Sequence, residues 1–185
     1  MANSIDVLHL SSFFPKDTTV TKVVDSSERI EIYLKSKTHT QHCPLCGQET
    51  TTYHSTYRRK LQDLPILGKS TYVYLTVYQY ECDNEECSQS IFCENLNEFT
   101  GHYKRMTKRL EDFLVMLALN TNCEGAAKIC KLLGIKVSGD TIIRMLIEQV
   151  SHFQSIKTDF IGIDDWAYKK GKPMAQSSLM GIHTN

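Results

Sequence analysis

Four cysteines in two close pairs constrain this chain more than any other feature of its 185 residues. Cys43-Pro44-Leu45-Cys46-Gly47 is a CxxC turn, and Cys82-Asp83-Asn84-Glu85-Glu86-Cys87 is a looser second pair. A CxxC turn presents two thiolates to one metal, and a glycine after it lets the backbone curl beneath the sulfurs. The cysteine total is seven, an odd number. The stretch from Met1 to Phe14 has no basic n-region and no small-residue cleavage site, so it reads as mature protein rather than a signal peptide. Without an export signal, such pairs favour metal binding over a disulfide framework. Four thiolates complete a tetrahedral Zn²⁺ with no open position, which predicts a structural zinc ribbon held by Cys43, Cys46, Cys82 and Cys87. His42 and His54 could substitute as ligands, although no spacing requires either. Cys93, Cys123 and Cys130 read as small core residues.

Net charge is zero, so no bulk positive charge announces a nucleic-acid binder and local clusters must carry any such reading. An apolar fraction of 41% and a charged fraction of 23% are ordinary for a globular protein. No apolar run approaches a membrane span, which predicts no membrane partner and, by default, a cytoplasmic location, nucleoid-associated only if the chain binds DNA.

The first hundred residues carry strand patterns. Val20 to Val24, the turn-prone Asp25-Ser26-Ser27, and Ile30, Ile32 and Leu34 predict a hairpin. Residues 53–60 read as extended and basic, and Leu67-Gly68-Lys69 supplies a turn. Residues 71–80 form the best strand, with Tyr72, Tyr74, Tyr78 and Tyr80 on one face and Val73, Leu75 and Val77 on the other. Beyond Gly101 the period becomes helical. Thr107 to Leu119 places Leu110, Phe113, Leu114 and Leu117 together, and Glu124 to Leu133 turns Ala126, Ile129, Cys130 and Leu133 inward before Gly134 stops it. Ser138 is the predicted N-cap of a third helix with Ile142, Ile143, Leu146 and Ile147 as its apolar stripe.

The last two helices and their glycine turn have the outline of a helix-turn-helix, whose second helix enters the major groove. Thr141, Arg144 and Glu148 share its polar face, and Arg144 suits guanine or phosphate. Arg58 and Arg59, with Lys104, Arg105, Lys108 and Arg109, supply positive charge for phosphate contact. A bland alternative stands beside this, since amphipathic helix pairs are common and basic runs are usually solvated. Near the C-terminus, the apolar run Ile161-Gly162-Ile163 delivers Asp164 and Asp165 to a strand end. An acid so placed can hold one of two metal ions in a phosphoryl-transfer nuclease, or can simply be a surface pair.

In linear order these pieces resemble the ISL3 family of insertion-sequence transposases. The residues concerned are Cys43 to Gly47, Tyr57-Arg58-Arg59, Leu61-Gln62-Asp63-Leu64-Pro65, the Cys82/Cys87 knuckle with Ile91-Phe92, Ala126-Ala127, Leu133-Gly134-Ile135, Val137-Ser138, Thr141, and Ile161 to Gly171. The resemblance implies an α+β chain. Its β-rich zinc ribbon with a preceding hairpin would occupy residues 1–100, and its helix-turn-helix 101–158. The first strand of an RNase H-like catalytic domain would occupy 159–171, with a tail at 172–185 outside the family pattern. Asp164 would be the first catalytic acid, using Mg²⁺ in an intact member. Residues 172–185 fit neither a strand nor the family's continuation, so the expectation is a catalytically incomplete chain that binds double-stranded DNA at insertion-sequence ends, alone, as a homo-oligomer or mixed with full-length transposase. The alternatives are a stand-alone DNA-binding regulator or inhibitor of transposition, and a zinc ribbon serving protein assembly.

Overall fold

The computed structural model describes residues 10–151, 161–166 and 175–180. Up to Leu146 they cluster into one compact unit, and the residues from Ile147 onward form a second.

The first unit is built on one sheet. Strands β1 (Thr18–Asp25) and β2 (Arg29–Ser36) pair antiparallel, as the alternation predicts. β2 then pairs parallel with β6 (Lys69–Glu81), and β6 pairs antiparallel with β5 (Tyr53–Ile66). The order is β1-β2-β6-β5, so the early hairpin is part of the main sheet rather than a separate preface to a ribbon. Alternation decides the faces: Val73, Leu75 and Val77 point inward and join Val20, Ile32, Leu34, Leu61, Phe14 and Phe99 in a core. The opposite face carries Tyr33 stacked on Tyr74 at 4.9 Å, with Lys60 Nζ 4.3 Å from the Tyr72 ring.

β5 and β6 meet in a two-residue turn whose central residues, Leu67 and Gly68, both have positive φ, 51° and 76°. That is the twist a tight hairpin needs. Pro65 lies on the edge strand, where the pairing register is interrupted between Asp63 and Ile66, a position that tolerates a missing N–H.

Helices α1 (Lys108–Asn120), α2 (Cys123–Leu132) and α3 (Gly139–Ser151) follow. Asn122 caps α2 by accepting from the Gly125 N–H at 2.7 Å. At its other end the Gly134 N–H reaches the Lys131 carbonyl at 3.2 Å and the Ile135 N–H reaches that of Cys130 at 2.9 Å, a Schellman ending. Gly134 sits at φ 72°, and a Cβ there would stand 2.7 Å from Ser70 Oγ, so both backbone and space require glycine. Ser138 caps α3 as expected, its Oγ accepting the Thr141 N–H at 3.3 Å. The predicted apolar stripe of α3 needs correction. Ile142 and Met145 are buried and Leu146 packs beside them, whereas Ile143 and Ile147 are exposed. The helix is rotated so that residues 142, 145 and 146 meet Ala126, Cys130 and Ile135 in a second core. Likewise Ala126 and Cys130 of α2 are buried while Ile129 and Leu133 lie at the surface.

In the second unit, β8 (Ile161–Trp166) pairs antiparallel with β9 (Ala175–Met180), Asp164 standing opposite Ser177. The tail read as non-strand therefore supplies a strand. Its composition, Ala-Gln-Ser-Ser-Leu-Met, carries little β propensity, and only the pairing with β8 makes it extended. Residues 152–160, Ala167 to Gly171 of the acidic-strand motif, and 181–185 lie outside the described residues.

Replacing Leu67 by Asn keeps the hairpin and removes the cost of an L-residue with a bulky side chain at positive φ. Leu67→Asn is expected to stabilise the protein by about 1 kcal/mol, read as a rise in thermal midpoint of roughly 2–4 °C. An unchanged or lower midpoint would refute this account of the turn.

Candidate metal centre and basic surface

Two small hairpins place the four predicted cysteines. The first joins β3 (Gln41–His42) to β4 (Glu49–Thr50). Inside it the Cys43 N–H bonds the Gln48 carbonyl and the Gly47 N–H bonds that of Cys43, both at 2.9 Å, with Gly47 at φ 74°. The second hairpin runs from the end of β6 into β7 (Ile91–Cys93), with Tyr80 opposite Phe92. Its loop is closed by the Cys82 N–H on the Ser90 carbonyl at 2.9 Å and the Cys87 N–H on that of Asn84 at 3.0 Å. Hydrogen bonds from the Thr50 and Thr52 side chains to Asp83 tie the second loop to the first and hold that carboxyl below its usual range.

The four sulfurs lie within 4.8 Å of one another. Cys43 and Cys87 Sγ are 3.8 Å apart, and Cys46 and Cys82 Sγ 3.6 Å. A tetrahedron with metal–sulfur bonds of about 2.3 Å has sulfur–sulfur edges of about 3.8 Å. A disulfide would need about 2.05 Å, and all seven cysteines are free thiols. The donor set and its spacing therefore fit a structural zinc. His42 is exposed and faces Glu49 at 3.9 Å, and His54 Nδ1 lies 2.8 Å from Glu81, so neither joins the sulfur cluster. Beneath the thiols Tyr80, Phe92 and Cys43 form a core of three buried residues.

The electrostatics point the same way. The Gln48 backbone N–H and the neighbouring thiols pull Cys46 down to about 7. At Cys82 a hydrogen bond from the Asn84 backbone favours the thiolate, but burial and the adjoining sulfurs override it and push the thiol up to about 12. Cys87 is also raised, burial and the Cys46 and Cys43 sulfurs outweighing the Gln89 backbone hydrogen bond. Four thiolates packed this closely repel one another, and a divalent cation removes that conflict.

Residues 39–87 match the family described as the zinc-finger of transposase IS204/IS1001/IS1096/IS1165. That span opens before the first knuckle and closes on Cys87. Over that span the chain is similar to the ISL3 transposases. It is 25% identical over 149 residues to the transposase for insertion sequence element IS1001 of Bordetella parapertussis, an alignment covering 80% of this chain and 35% of that protein. The chain thus spans about a third of the length of that relative. No solved structure matches it.

Around this ISL3-type ribbon the sequence-predicted basic residues have unequal surroundings. Arg109 is folded inward: its guanidinium meets Asp63 through Nε at 2.8 Å and through Nη2, and donates to the Phe13 carbonyl at 2.8 Å. Arg59 donates to the carbonyls of Gly101 at 3.0 Å and Lys104 at 2.6 Å. Lys104 Nζ lies 3.6 Å from Glu111. Arg58 is exposed, its guanidinium 5.8 Å from the Tyr33 ring. Arg105, Lys108 and Arg144 are exposed, and the Thr141 hydroxyl lies 2.9 Å from that of Ser138. Of the spare cysteines, Cys130 is fully buried among the helices, whereas Cys93 sits 3.7 Å from the Tyr57 hydroxyl. The structure also brings Lys60, His102 and Tyr103 to this basic region, which the sequence reading did not single out as a group. The run Arg58-Arg59-Lys60 and the aromatic beside Lys104 were the available signal.

One zinc per chain is expected by metal analysis, and Cys43→Ser should lose it along with the cooperative unfolding of the ribbon. Zinc holds all four sulfurs as thiolates, so protons compete with it: affinity rises with pH and is lost as pH falls. Calorimetric titration near pH 7 in buffers of different ionisation enthalpy should register release of more than one proton, since the Cys82 and Cys87 thiols are both raised in the metal-free cluster. Zinc uptake with no proton release would contradict the four-thiolate assignment.

Proposed function

We propose that this chain is a DNA-recognition part of an ISL3-type transposase, binding the double-stranded terminal inverted repeats of an insertion sequence. The observation that carries this reading is the transposase-type ribbon, with its four sulfurs at metal spacing, on the same compact unit as a capped helix pair. In that pair α2 ends at Leu132 ahead of Gly134, and α3 begins under Ser138 with Arg144 exposed in its second turn. A second helix that presents polar side chains near its N-terminus is how such motifs read base edges. In this reading Thr141 and Arg144 meet the duplex, while Arg58, Arg105 and Lys108 supply phosphate contacts. Arg59, Lys104 and Arg109 act mainly through the fold, because each is already engaged inside it. Asp164 is proposed as the first metal-binding acid of the transposition reaction, a Mg²⁺ ligand where the remaining acids of a two-metal site are present. Localisation at the nucleoid follows from DNA binding and belongs to the same proposal.

A second reading, assembly with another copy or with a longer transposase, is favoured by one feature. Met116, Leu119, Leu132 and Ile143 are large apolar side chains left exposed on the three helices. In this case the chain would regulate transposition through mixed oligomers. Light scattering across a concentration series, of the chain alone and mixed with a full-length transposase, tests this reading, which is disposed of by a strict monomer in both.

The test of the first reading is a gel-shift titration at fixed salt with the DNA ends flanking the coding sequence and with scrambled duplexes of equal length. Tighter binding to the ends is expected, and Arg144→Ala should weaken it by roughly tenfold or more. Equal affinity for the scrambled duplex would remove end recognition from the protein's role.

A further inference from the structure

A groove of about 820 Å³ opens beside the edge strand β5, against the loop that follows Phe99. Its lining includes Arg59, Lys104 and Arg105 together with His102, and no carboxylate among the described residues. In a chain with 21 basic and 21 acidic residues that is a marked local segregation of charge. Glu111 answers Lys104 from outside the lining, at 3.6 Å, but nothing similar faces Arg105 among the described contacts.

The rim carries an aromatic ring held out into water. Tyr103 is 89% exposed and adopts φ 58°, a left-handed conformation that a tyrosine rarely takes. Its neighbour His102 meets the ring edge-on at 4.1 Å. The cause is visible in Arg59, whose guanidinium bonds the carbonyls of Gly101 and Lys104, one on each side of Tyr103. The loop is pinned at both ends of the turn, and the ring between them is presented rather than packed. A second ring, Tyr57, lines the groove floor and is 42% exposed. Strain and exposure of this kind persist when the surrounding structure enforces them, and they concentrate at sites that hold ligands.

We propose that this groove binds a single strand of nucleic acid, a phosphate held by Arg105 and an unpaired base stacked on Tyr103. The chemistry selects this occupant. A positive groove with exposed aromatic faces is the arrangement that grips single strands, because every unpaired base offers a π-face. The bases of an intact duplex are already stacked on one another and cannot use Tyr103. The site lies on the loop and the sheet edge and shares only Arg105 with the duplex reading; Tyr103 belongs to it alone.

The test is fluorescence anisotropy of the zinc-loaded chain with labelled oligo-dT and oligo-rU of fifteen nucleotides, across a salt series. Wild type is expected to bind, with the two arms reporting whether the 2′-hydroxyl and the base methyl together matter. Tyr103→Asn, a residue that tolerates the left-handed backbone, should weaken binding roughly five- to a hundredfold, and Tyr103→Phe should restore it. Arg105→Gln should reduce the salt slope by about 0.7, whereas Lys16→Gln, an exposed lysine outside the groove's lining, should leave both affinity and slope unchanged. Absence of binding to either oligonucleotide at low salt, or Tyr103→Asn binding as wild type does, overturns the proposal. Loss of end-specific duplex binding alongside intact Tyr103-dependent single-strand binding would overturn only the duplex reading.

Discussion

One buried carboxylate joins the sheet to the helices. The Asp63 side chain is fully buried on β5, and its Oδ1 accepts from Thr107 Oγ1 at 2.6 Å, Arg109 Nε at 2.8 Å and the Leu64 N–H at 2.9 Å. Its other oxygen takes Arg109 Nη2. The same arginine lies 5.2 Å from the Phe14 ring and bonds the Phe13 carbonyl, so the turn before β1 is fastened to this point as well. Two flanking backbone bonds, the Gln62 N–H to the Arg105 carbonyl at 2.9 Å and the Thr107 N–H to the Gln62 carbonyl at 3.0 Å, hold the start of α1 alongside β5. A carboxylate taken wholly out of water is tolerable only with this many charge-assisted donors, and removing one partner leaves the other unpaired. Every placement further along, from the basic loop to the capped helix pair, depends on this junction.

The ribbon is stabilised on a different principle. The main sheet and the helices each enclose a core of nine buried apolar residues, whereas the ribbon encloses Tyr80, Phe92 and Cys43. Three residues cannot offset the conformational entropy of two knuckles and their loops. Metal binding energy is therefore folding energy here. The division of labour is physical: the second knuckle continues from β6, a strand fixed by its partners on both sides, while the first rests on the two-residue strands β3 and β4, so the metal joins a firm knuckle to a slight one.

This contrast explains what the sequence made legible. The knuckles could be read because ligand spacing is written in adjacent residues, and geometry then has little choice. The β6 strand could be read because Val73, Leu75 and Val77 alternate with tyrosines, and the caps because Ser138 and Gly134 act within a few residues of themselves. The parallel pairing of β2 with β6 was not legible, since it joins segments about forty residues apart through backbone bonds that any sequence can make. The stripe on α3 was misjudged for a related reason: Ile142, Ile143, Leu146 and Ile147 mark an apolar arc without saying which half a neighbour will cover, and Met145 completed the buried side. At β9 the pairing partner, not the residues' own preference, determined the conformation.

Charge was the least legible property, because a sequence counts cations without recording what they face. Arg58 and Arg59 are neighbours in a strand, yet alternation sends one to the open tyrosine face and the other into the carbonyls of the loop. Arg105 and Arg109 belong to one basic cluster, yet only Arg109 reaches the buried carboxylate. The inward arginines nevertheless shape the outward surface. Arg59 fixes the loop that exposes Tyr103 and Arg105, and Arg109 fixes the strand against which that loop is held. In a chain of zero net charge a nucleic-acid surface cannot come from an excess of lysine and arginine. It has to come from backbone and ion-pair geometry that places some cations inside, matched with acids and carbonyls, and leaves others together at one edge.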